Sequence, residues 1–170
     1  MTRPARLLLD RLPSPIGELL IVTDETGLLR AVDFHDFEPR MRRLARLHYG
    51  DLALETGPAP TAIKAAFARY FAGDLAALAS LAWATNGTPF QQAVWTALTQ
   101  IPAGQTITYS ELARRAVRPL AIRAAGAANG ANPLSLVAPC HRVIGTDGAL
   151  TGYAGGIERK RWLLTHEGAL

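Results

Sequence analysis

The stretch NPLSLVAPCHRV, residues 132–143, contains the only cysteine of the chain, Cys140. A single cysteine cannot form an internal disulfide, and one thiolate makes a poor metal site. Two interpretations stay open from this residue alone. Cys140 is either a buried small apolar side chain, which is the usual fate of a lone cysteine, or a reactive thiol.

The residues before Cys140 predict where it lies in the fold. Leu134, Leu136 and Val137 favour a short buried strand, and Pro139 would end this strand because proline has no N–H to donate to a sheet. Cys140 is therefore expected at the point where a strand ends.

The residues after Cys140 favour the reactive thiol. The thiolate is the nucleophilic form of cysteine, and a neighbouring His141 or Arg142 can lower the thiol pKa from its ordinary value of about 8.5. Burying these three side chains together for packing alone would be costly. We therefore interpret Cys140 as a nucleophile.

The pentapeptide PCHRV, residues 139–143, resembles the active-site motif of the O6-alkylguanine-DNA alkyltransferases, also named methylated-DNA–protein-cysteine methyltransferases. The resemblance extends from about residue 85 to the C-terminus and is greatest to the bacterial constitutive type. Further motifs occur in the order and spacing of the family: Thr88-Pro89-Phe90-Gln91, Val94-Trp95, Ile101-Pro102-Ala103-Gly104, Thr108-Tyr109, Leu112-Ala113, Arg123-Ala124, Ala128-Asn129-Gly130, Asn132-Pro133, Gly152-Tyr153-Ala154-Gly155-Gly156, Lys160, Trp162-Leu163-Leu164 and His166-Glu167.

Composition agrees with a globular protein, and the charge distribution favours a polyanionic partner, although a solvated basic surface also explains the charge alone. The chain has 170 residues, of which 49% are hydrophobic and 19% charged, enough for one or two small domains. Residues 1–84 contain ten Lys/Arg and ten Asp/Glu, so their net charge is zero. Residues 85–170 contain eight Lys/Arg and four Asp/Glu, so the whole net charge of +4 belongs to the half with Cys140. No apolar run approaches the roughly 20 residues that span a bilayer, and a lone thiol fits a reducing compartment, so we expect a cytoplasmic protein without a membrane partner.

The first half predicts a small α/β domain over residues 1–84. Apolar and turn residues favour strands at 7–12, 18–23, 28–34 and 51–55, and helices at 38–49 and 60–71. The resemblance implies that this domain is ribonuclease-H-like and has no catalytic role. Some relatives hold zinc in it, but without a cysteine in this half we expect no metal site.

The second half, residues 85–170, predicts a mainly helical domain. Thr88 is expected to cap a first helix, Ser110 to cap a helix over 111–117, and Pro119 to open a helix that ends near 129 or 130, which is a helix-turn-helix pattern. A turn at 145–148 would form a wing, and residues 158–166 a final helix. The resemblance implies a winged helix-turn-helix domain that carries both DNA binding and alkyl transfer.

The helix after Pro119 is unusually thin, because alanine and glycine dominate it and Arg123 is its only charged residue. Such a face suits a narrow minor groove better than base contacts in the major groove. The resemblance implies minor-groove binding through Ala121 and Ala124, with Arg123 replacing the extruded nucleotide in the base stack. It also places Tyr109 near the phosphate beside the target.

The resemblance also implies a base pocket and a proton relay. Asn132 corresponds to a hinge asparagine, although an ordinary turn residue explains it equally well from sequence. The Val143 carbonyl, Tyr153 and the backbone at Ala154 would contact the guanine, and Glu167 would orient His141. Val117 stands where many relatives have glycine, so the turn at this position is expected to differ.

The activity implied is an irreversible transfer of the alkyl group from O6-alkylguanine in duplex DNA to Cys140, without a metal or organic cofactor, and O4-alkylthymine is a further candidate substrate. The protein is expected to be a monomer in solution that can assemble cooperatively on DNA. The alternatives are a lesion-binding alkyltransferase-like protein, against which Cys140 argues, a Cys–His hydrolase and a transcription regulator.

Overall fold

The structure, a computed structural model, describes residues 3–170. The chain divides into two compact units, of which the first ends at Asn86 and the second runs from Gly87 to Leu170. The division falls within the Asn86-Gly87 linker. No helix in the described part of the chain is long and apolar enough to cross a membrane.

The first unit is a four-stranded sheet with two helices. Its strands are β1 (Leu7–Leu12), β2 (Leu19–Asp24), β3 (Leu29–Phe34) and β4 (Leu54–Thr56), in the order β3-β2-β1-β4. Only the β1–β4 pair is parallel. Helices α1 (Glu38–Tyr49) and α2 (Thr61–Phe71) follow β3 and β4. The predicted elements are confirmed to within three residues at each end.

Alternation along β1 shows how this sheet builds its core. Leu7 and Leu9 are buried, whereas the intervening side chains are partly exposed, as expected for a strand with one face on the core. Met41 and Tyr49, both on α1, belong to the same apolar cluster. The predicted amphipathic helix therefore covers the sheet with its apolar face.

The second unit consists of helices α3 (Pro89–Thr99), α4 (Tyr109–Arg115), α5 (Ile122–Gly130) and α6 (Ile157–His166), with a two-stranded parallel sheet of β5 (Ile107–Thr108) and β6 (Val143–Ile144). Thr88 caps α3 as predicted, and with Gln91 it forms a capping box. The buried Trp95 fixes α3 to α5, because its indole N–H donates to the Ala128 carbonyl at 2.8 Å.

The caps of the helix pair α4 and α5 differ from the prediction. Thr108, not Ser110, caps α4: its hydroxyl accepts the backbone N–H of Glu111 at 3.1 Å. Helix α5 begins at Ile122 instead of Pro119, because the N–H of Ala121 closes a tight turn onto the Arg118 carbonyl at 2.9 Å. Ala121 therefore precedes the helix.

The predicted strand before Cys140 is wrong. Residues 134–138 fold into turns, since the Ala138 N–H donates to the Leu134 carbonyl at 2.9 Å and Leu136 has a left-handed φ of 73°. Neither geometry is compatible with extended pairing. Cys140 instead opens a short 3-10 turn, Cys140–Arg142, that leads into β6.

The turn at 145–148 forms as expected, but it is not followed by a strand in the part of the chain that the structure describes. The Gly148 N–H donates to Gly145 O at 2.9 Å, and the Gly145 N–H donates to Ala149 O at 3.0 Å. Residues 149–156 then continue as an irregular loop to α6.

Val117 keeps the geometry of a glycine-like turn despite its β-branched side chain. Its φ is 62°, in the left-handed region, and its side chain is 85% exposed. A β-branched residue is strained there, because its Cβ lies too close to the following carbonyl oxygen. This conformation costs roughly 1–2 kcal/mol.

Val117→Gly is therefore expected to raise the free energy of unfolding by roughly 0.5–1 kcal/mol, after the larger backbone entropy of glycine in the unfolded chain is subtracted. Urea unfolding measures this change. Val117→Ala, which keeps Cβ, serves as the control and should gain less. A Val117→Gly protein that is no more stable than the parent would show that the turn carries no strain.

Candidate active site

The backbone around Cys140 is shaped by two buried asparagine side chains. The Asn132 amide donates to the Ala138 carbonyl at 2.7 Å, and its carbonyl oxygen accepts the Leu134 N–H at 3.0 Å. Asn129, near the end of α5, donates to the Cys140 carbonyl at 3.5 Å. Asn132 thus uses both polar ends to hold the turn that precedes the buried cysteine, as expected for a turn residue.

Glu167 is the centre of a buried polar cluster beside Cys140. It is the C-cap residue of α6, and its Oε2 lies 2.9 Å from His141 Nε2. Arg142 donates to both carboxylate oxygens, each at 2.8 Å, and also to the Ile101 carbonyl at 2.6 Å. Burial acts to raise the pKa of Glu167, but the hydrogen bonds from Arg142 and His141 outweigh it and hold that pKa well below its ordinary range.

The hydrogen bond to Glu167 decides which nitrogen of His141 can act as a base. Burial lowers the pKa of His141, although Glu167 opposes this shift, so the ring is neutral at neutral pH. A neutral ring that faces a carboxylate through Nε2 carries its proton on Nε2. Nδ1 is buried without a hydrogen-bond partner in residues 3–170, and it is the nitrogen left to accept a proton.

Lys160 connects the segment 140–143, which we name the active-site turn, to the loop over residues 149–156, which we name the glycine-rich loop. Its buried Nζ donates to the Val143 carbonyl at 2.5 Å and to the Thr151 carbonyl at 2.8 Å. Burial lowers the pKa of Lys160 to about 8, while the nearby Cys140 acts in the opposite direction.

Tyr109 and Tyr153 contact the same region. The Tyr109 hydroxyl, on the first residue of α4, donates to the Thr151 carbonyl at 3.1 Å. A Cβ on Gly152 would lie 3.3 Å from this hydroxyl, and Gly152 has a φ of 64°, so glycine is needed there. The buried Tyr153 ring meets the His141 ring edge-on, with centroids 6.3 Å apart.

The structure brings together most of the predicted site residues but not all. Cys140, His141, Glu167, Asn132, Val143, Tyr109 and Tyr153 are linked through the contacts above, and Ala154 is the half-buried neighbour of Tyr153. Arg123 and Ala124 lie exposed on the first turn of α5, and Ala121 is half-buried just before it.

Sequence reasoning did not predict the structural roles of Lys160 and Arg142. Lys160, Leu163, Leu164 and Glu167 follow helical spacing and are all buried, so the periodicity of α6 could have placed both charged residues on the inner face. Arg142 was expected to favour the thiolate, but it uses its donors on Glu167 and Ile101. No sequence pattern predicts that Arg142 pairs with Glu167, which is 25 residues away in the chain.

The arrangement can do nucleophilic chemistry. The buried Cys140 is followed directly in the chain by His141, whose neutral imidazole is fixed by a carboxylate, and these are the groups that activate a cysteine. Within residues 3–170 no group of three or more His, Cys, Asp or Glu side chains is placed to hold a metal ion.

Comparison with known proteins gives the family. Residues 89–169 match the family model described as the DNA-binding domain of 6-O-methylguanine DNA methyltransferase. The chain is 51% identical to the methylated-DNA–protein-cysteine methyltransferase of Salmonella typhimurium. The match covers 97% of this chain and 98% of the length of the relative.

Two solved structures agree. The crystal structure of Mycobacterium tuberculosis O6-methylguanine methyltransferase is similar with a TM-score of 0.80 and 37% identity, over 96% of this chain and 93% of that one. Mycobacterium tuberculosis OGT in complex with DNA is similar with a TM-score of 0.80 and 36% identity, over 97% of this chain and 94% of that one. The mixed α/β fold and the near-complete sequence match thus lead to one conclusion: the chain belongs to the methylated-DNA–protein-cysteine methyltransferase family.

Proposed function

We propose that this protein repairs DNA by moving the alkyl group from the O6 atom of an alkylated guanine onto Sγ of Cys140, once per molecule. The observation that carries the proposal is the fixed orientation of His141, the residue after Cys140 in the chain: Nε2 faces Glu167, and Nδ1 is buried without a hydrogen-bond partner in residues 3–170. This geometry supplies the proton acceptor that a thiol needs to become a nucleophile.

In the proposed reaction, His141 takes the thiol proton through a water molecule, and the thiolate attacks the alkyl carbon in line with the bond to O6. The carbon–sulfur bond forms as the carbon–oxygen bond breaks, and guanine leaves with the electron pair. Tyr109 is the candidate proton donor to the leaving base, and burial raises its pKa, which keeps the phenol protonated. The S-alkylcysteine is a thioether without a chemical route back.

The guanine pocket is proposed to lie between the active-site turn and the glycine-rich loop. The Val143 carbonyl, the Tyr153 ring and the backbone at Ala154 would contact the base. Lys160 supports this arrangement, because it binds the Val143 and Thr151 carbonyls and so joins the two walls. Asn132 would keep the turn in register with α5.

DNA is proposed to bind through the thin face of α5. O6 of a stacked guanine is out of reach of a buried thiol, so the nucleotide must leave the helix, at a cost of a few kcal/mol. Arg123 would fill the vacated place in the stack, while Ala121 and Ala124 allow close approach to the minor groove. Exposure of Arg123 and Ala124 supports this role.

The finer description of the whole chain also belongs to the proposal. We propose a ribonuclease-H-like first domain without a catalytic role (residues 1–84) and a winged helix-turn-helix second domain (residues 85–170). The protein would act in the cytoplasm as a monomer that can assemble cooperatively on DNA, and O4-alkylthymine would be a further substrate.

The test uses a duplex with one O6-methylguanine and peptide mapping of the protein after reaction. The methyl group should appear on the peptide that contains Cys140, and guanine should be restored in the DNA. Tight binding of the lesion duplex with an unmodified protein would instead make this chain a lesion-binding relative. A methyl group on another peptide would exclude Cys140 as the acceptor.

A further inference from the structure

A groove on the first unit lies between helix α1 and the end of the sheet. The strand order β3-β2-β1-β4 makes β4 an edge strand, and within residues 3–170 only β1 pairs with it. The cavity beside this edge has a volume of about 250 Å³. We name it the edge groove. Residues of α1 and of the segment that enters β4 line it, among them Arg42, Ala45, Arg46, Asp51, Leu52 and Leu54.

The backbone of β4 has hydrogen-bonding groups on its open side. The Gly57 N–H donates to the Leu9 carbonyl at 3.1 Å, so Gly57 faces β1. Alternate residues of a parallel strand bond to the same neighbour, and Glu55 therefore faces β1 as well. Leu54 and Thr56 direct their N–H and C=O groups to the other side. An open edge of this kind can accept one more strand.

Part of the edge groove is apolar. Ala45, Leu52 and Leu54 are partly buried against the apolar cluster that the sheet forms with α1. Strand side chains alternate between the two faces of a sheet, so every second residue of an added strand would point to the face covered by α1. An apolar side chain at such a position would cover the part of these three residues that is still exposed.

The charge along the edge groove is mainly positive. Arg42 and Arg46 are exposed one helical turn apart, and Arg46 makes no ion pair in the part of the chain that the structure describes. Arg42 donates to Glu38 at 2.8 Å, and Asp51 is the one carboxylate in the lining. Four helix residues span about 6 Å, close to the roughly 7 Å between residues on one face of a strand. An added strand can therefore place an acidic side chain at these arginines.

We infer that the edge groove binds an extended segment of a partner protein, which adds to the sheet beside β4 and carries an acidic residue two positions from an apolar one. Backbone hydrogen bonds to Leu54 and Thr56 hold the segment, and the two side chains select it: the apolar one covers the apolar part of the groove, and the acidic one pairs with Arg42 and Arg46. None of these residues belongs to the proposed alkyl-transfer site, so the inference stands apart from the proposed function.

The test follows the backbone amide signals of the isotope-labelled full chain by NMR during titration with the peptide acetyl-STLTETS-amide, at about 0.15 M salt. Saturable shifts of Leu54 and Thr56 are expected. Arg42→Glu/Arg46→Glu should raise the Kd of the peptide about tenfold or more, because both charges are reversed. Arg43→Glu is the matched control and should bind like the parent, since Arg43 is exposed on the same helix but does not line the groove.

Thr56→Pro tests the open edge itself. Proline is tolerated on an edge strand where its N–H would face solvent, and it removes one donor from the open side. This variant should unfold in urea like the parent and transfer alkyl groups at the parent rate, yet bind the peptide about tenfold more weakly. Parental peptide affinity in Thr56→Pro or in Arg42→Glu/Arg46→Glu would overturn the inference.

Two results with the parent protein would also overturn it. One is the absence of shifts up to roughly millimolar peptide, which would show that the edge accepts no strand of this chemistry. The other is a shift of Leu54 and Thr56 with protein concentration in the absence of peptide, because a second copy of the chain would then occupy the edge groove.

Discussion

Cys140→Ser is expected to lower the rate of alkyl transfer by at least about a thousandfold while leaving affinity for the lesion duplex close to that of the parent. A serine hydroxyl is a far weaker acid than a thiol, so the neutral His141 cannot supply a useful fraction of the alkoxide. The side chains differ by one atom, and the hydrogen bonds that shape the turn come from Asn129 and Asn132, which remain.

The measurement is single-turnover transfer from a duplex with one O6-methylguanine, paired with a binding titration on the same duplex. Intact binding makes the loss of transfer a chemical effect and excludes misfolding. Transfer within tenfold of the parent rate would contradict a thiol as the acceptor, since the chain has no second cysteine to take the place of Cys140.

Glu167→Gln is expected to lower both the stability of the protein and the rate of alkyl transfer. The amide cannot neutralise Arg142, which would remain buried with its two donors facing a neutral group. Breaking a buried ion pair in this way costs about 3–5 kcal/mol of unfolding free energy. The transfer rate should fall about a hundredfold or more, because the amide no longer fixes the proton on Nε2 of His141.

The pH dependence gives a second signature of Glu167. Its pKa in the folded protein lies below the ordinary value of 4.5, so its stabilising effect is fully present above that pH and is lost as the pH falls through the folded value. The parent should therefore lose stability below about pH 4.5 more steeply than Glu167→Gln does.

Urea unfolding at neutral pH and between pH 4.5 and 3 measures both effects on stability, and single-turnover transfer by the folded variant measures the chemistry. Glu158→Gln is the matched control, because Glu158 is exposed in the first turn of the same helix and should change stability by less than about 0.5 kcal/mol. A Glu167→Gln protein as stable as the parent would contradict the buried network.

The fold was most predictable where local chemistry decides it. An apolar run followed by turn residues located β1, and Thr88 with Pro89 located the start of α3. The segment before Cys140 escaped prediction because the buried Asn132 side chain takes the place of a strand partner and Leu136 adopts a left-handed φ. Neither effect can be seen in a hydrophobic pattern.

The site shows the same division. The PCHRV motif identified Cys140 and His141, and the resemblance supplied Glu167 as the partner of His141. The hydrogen bonds from Arg142 to the Glu167 carboxylate could not be predicted, nor could those from Lys160 to two backbone carbonyls. These contacts depend on how α6 packs against the active-site turn. The partners of the buried Arg142 and Lys160 are therefore set by long-range packing and not by the local sequence.

Titration of the protein with a duplex that carries one radiolabelled O6-methylguanine tests the central claim most directly. The quantity measured is the label bound to protein per chain at saturation. We predict a plateau near one equivalent, because Cys140 becomes a thioether that no group in the site can cleave. Product that continues to accumulate beyond one equivalent per chain would contradict single-use transfer and require an enzyme that regenerates its cysteine.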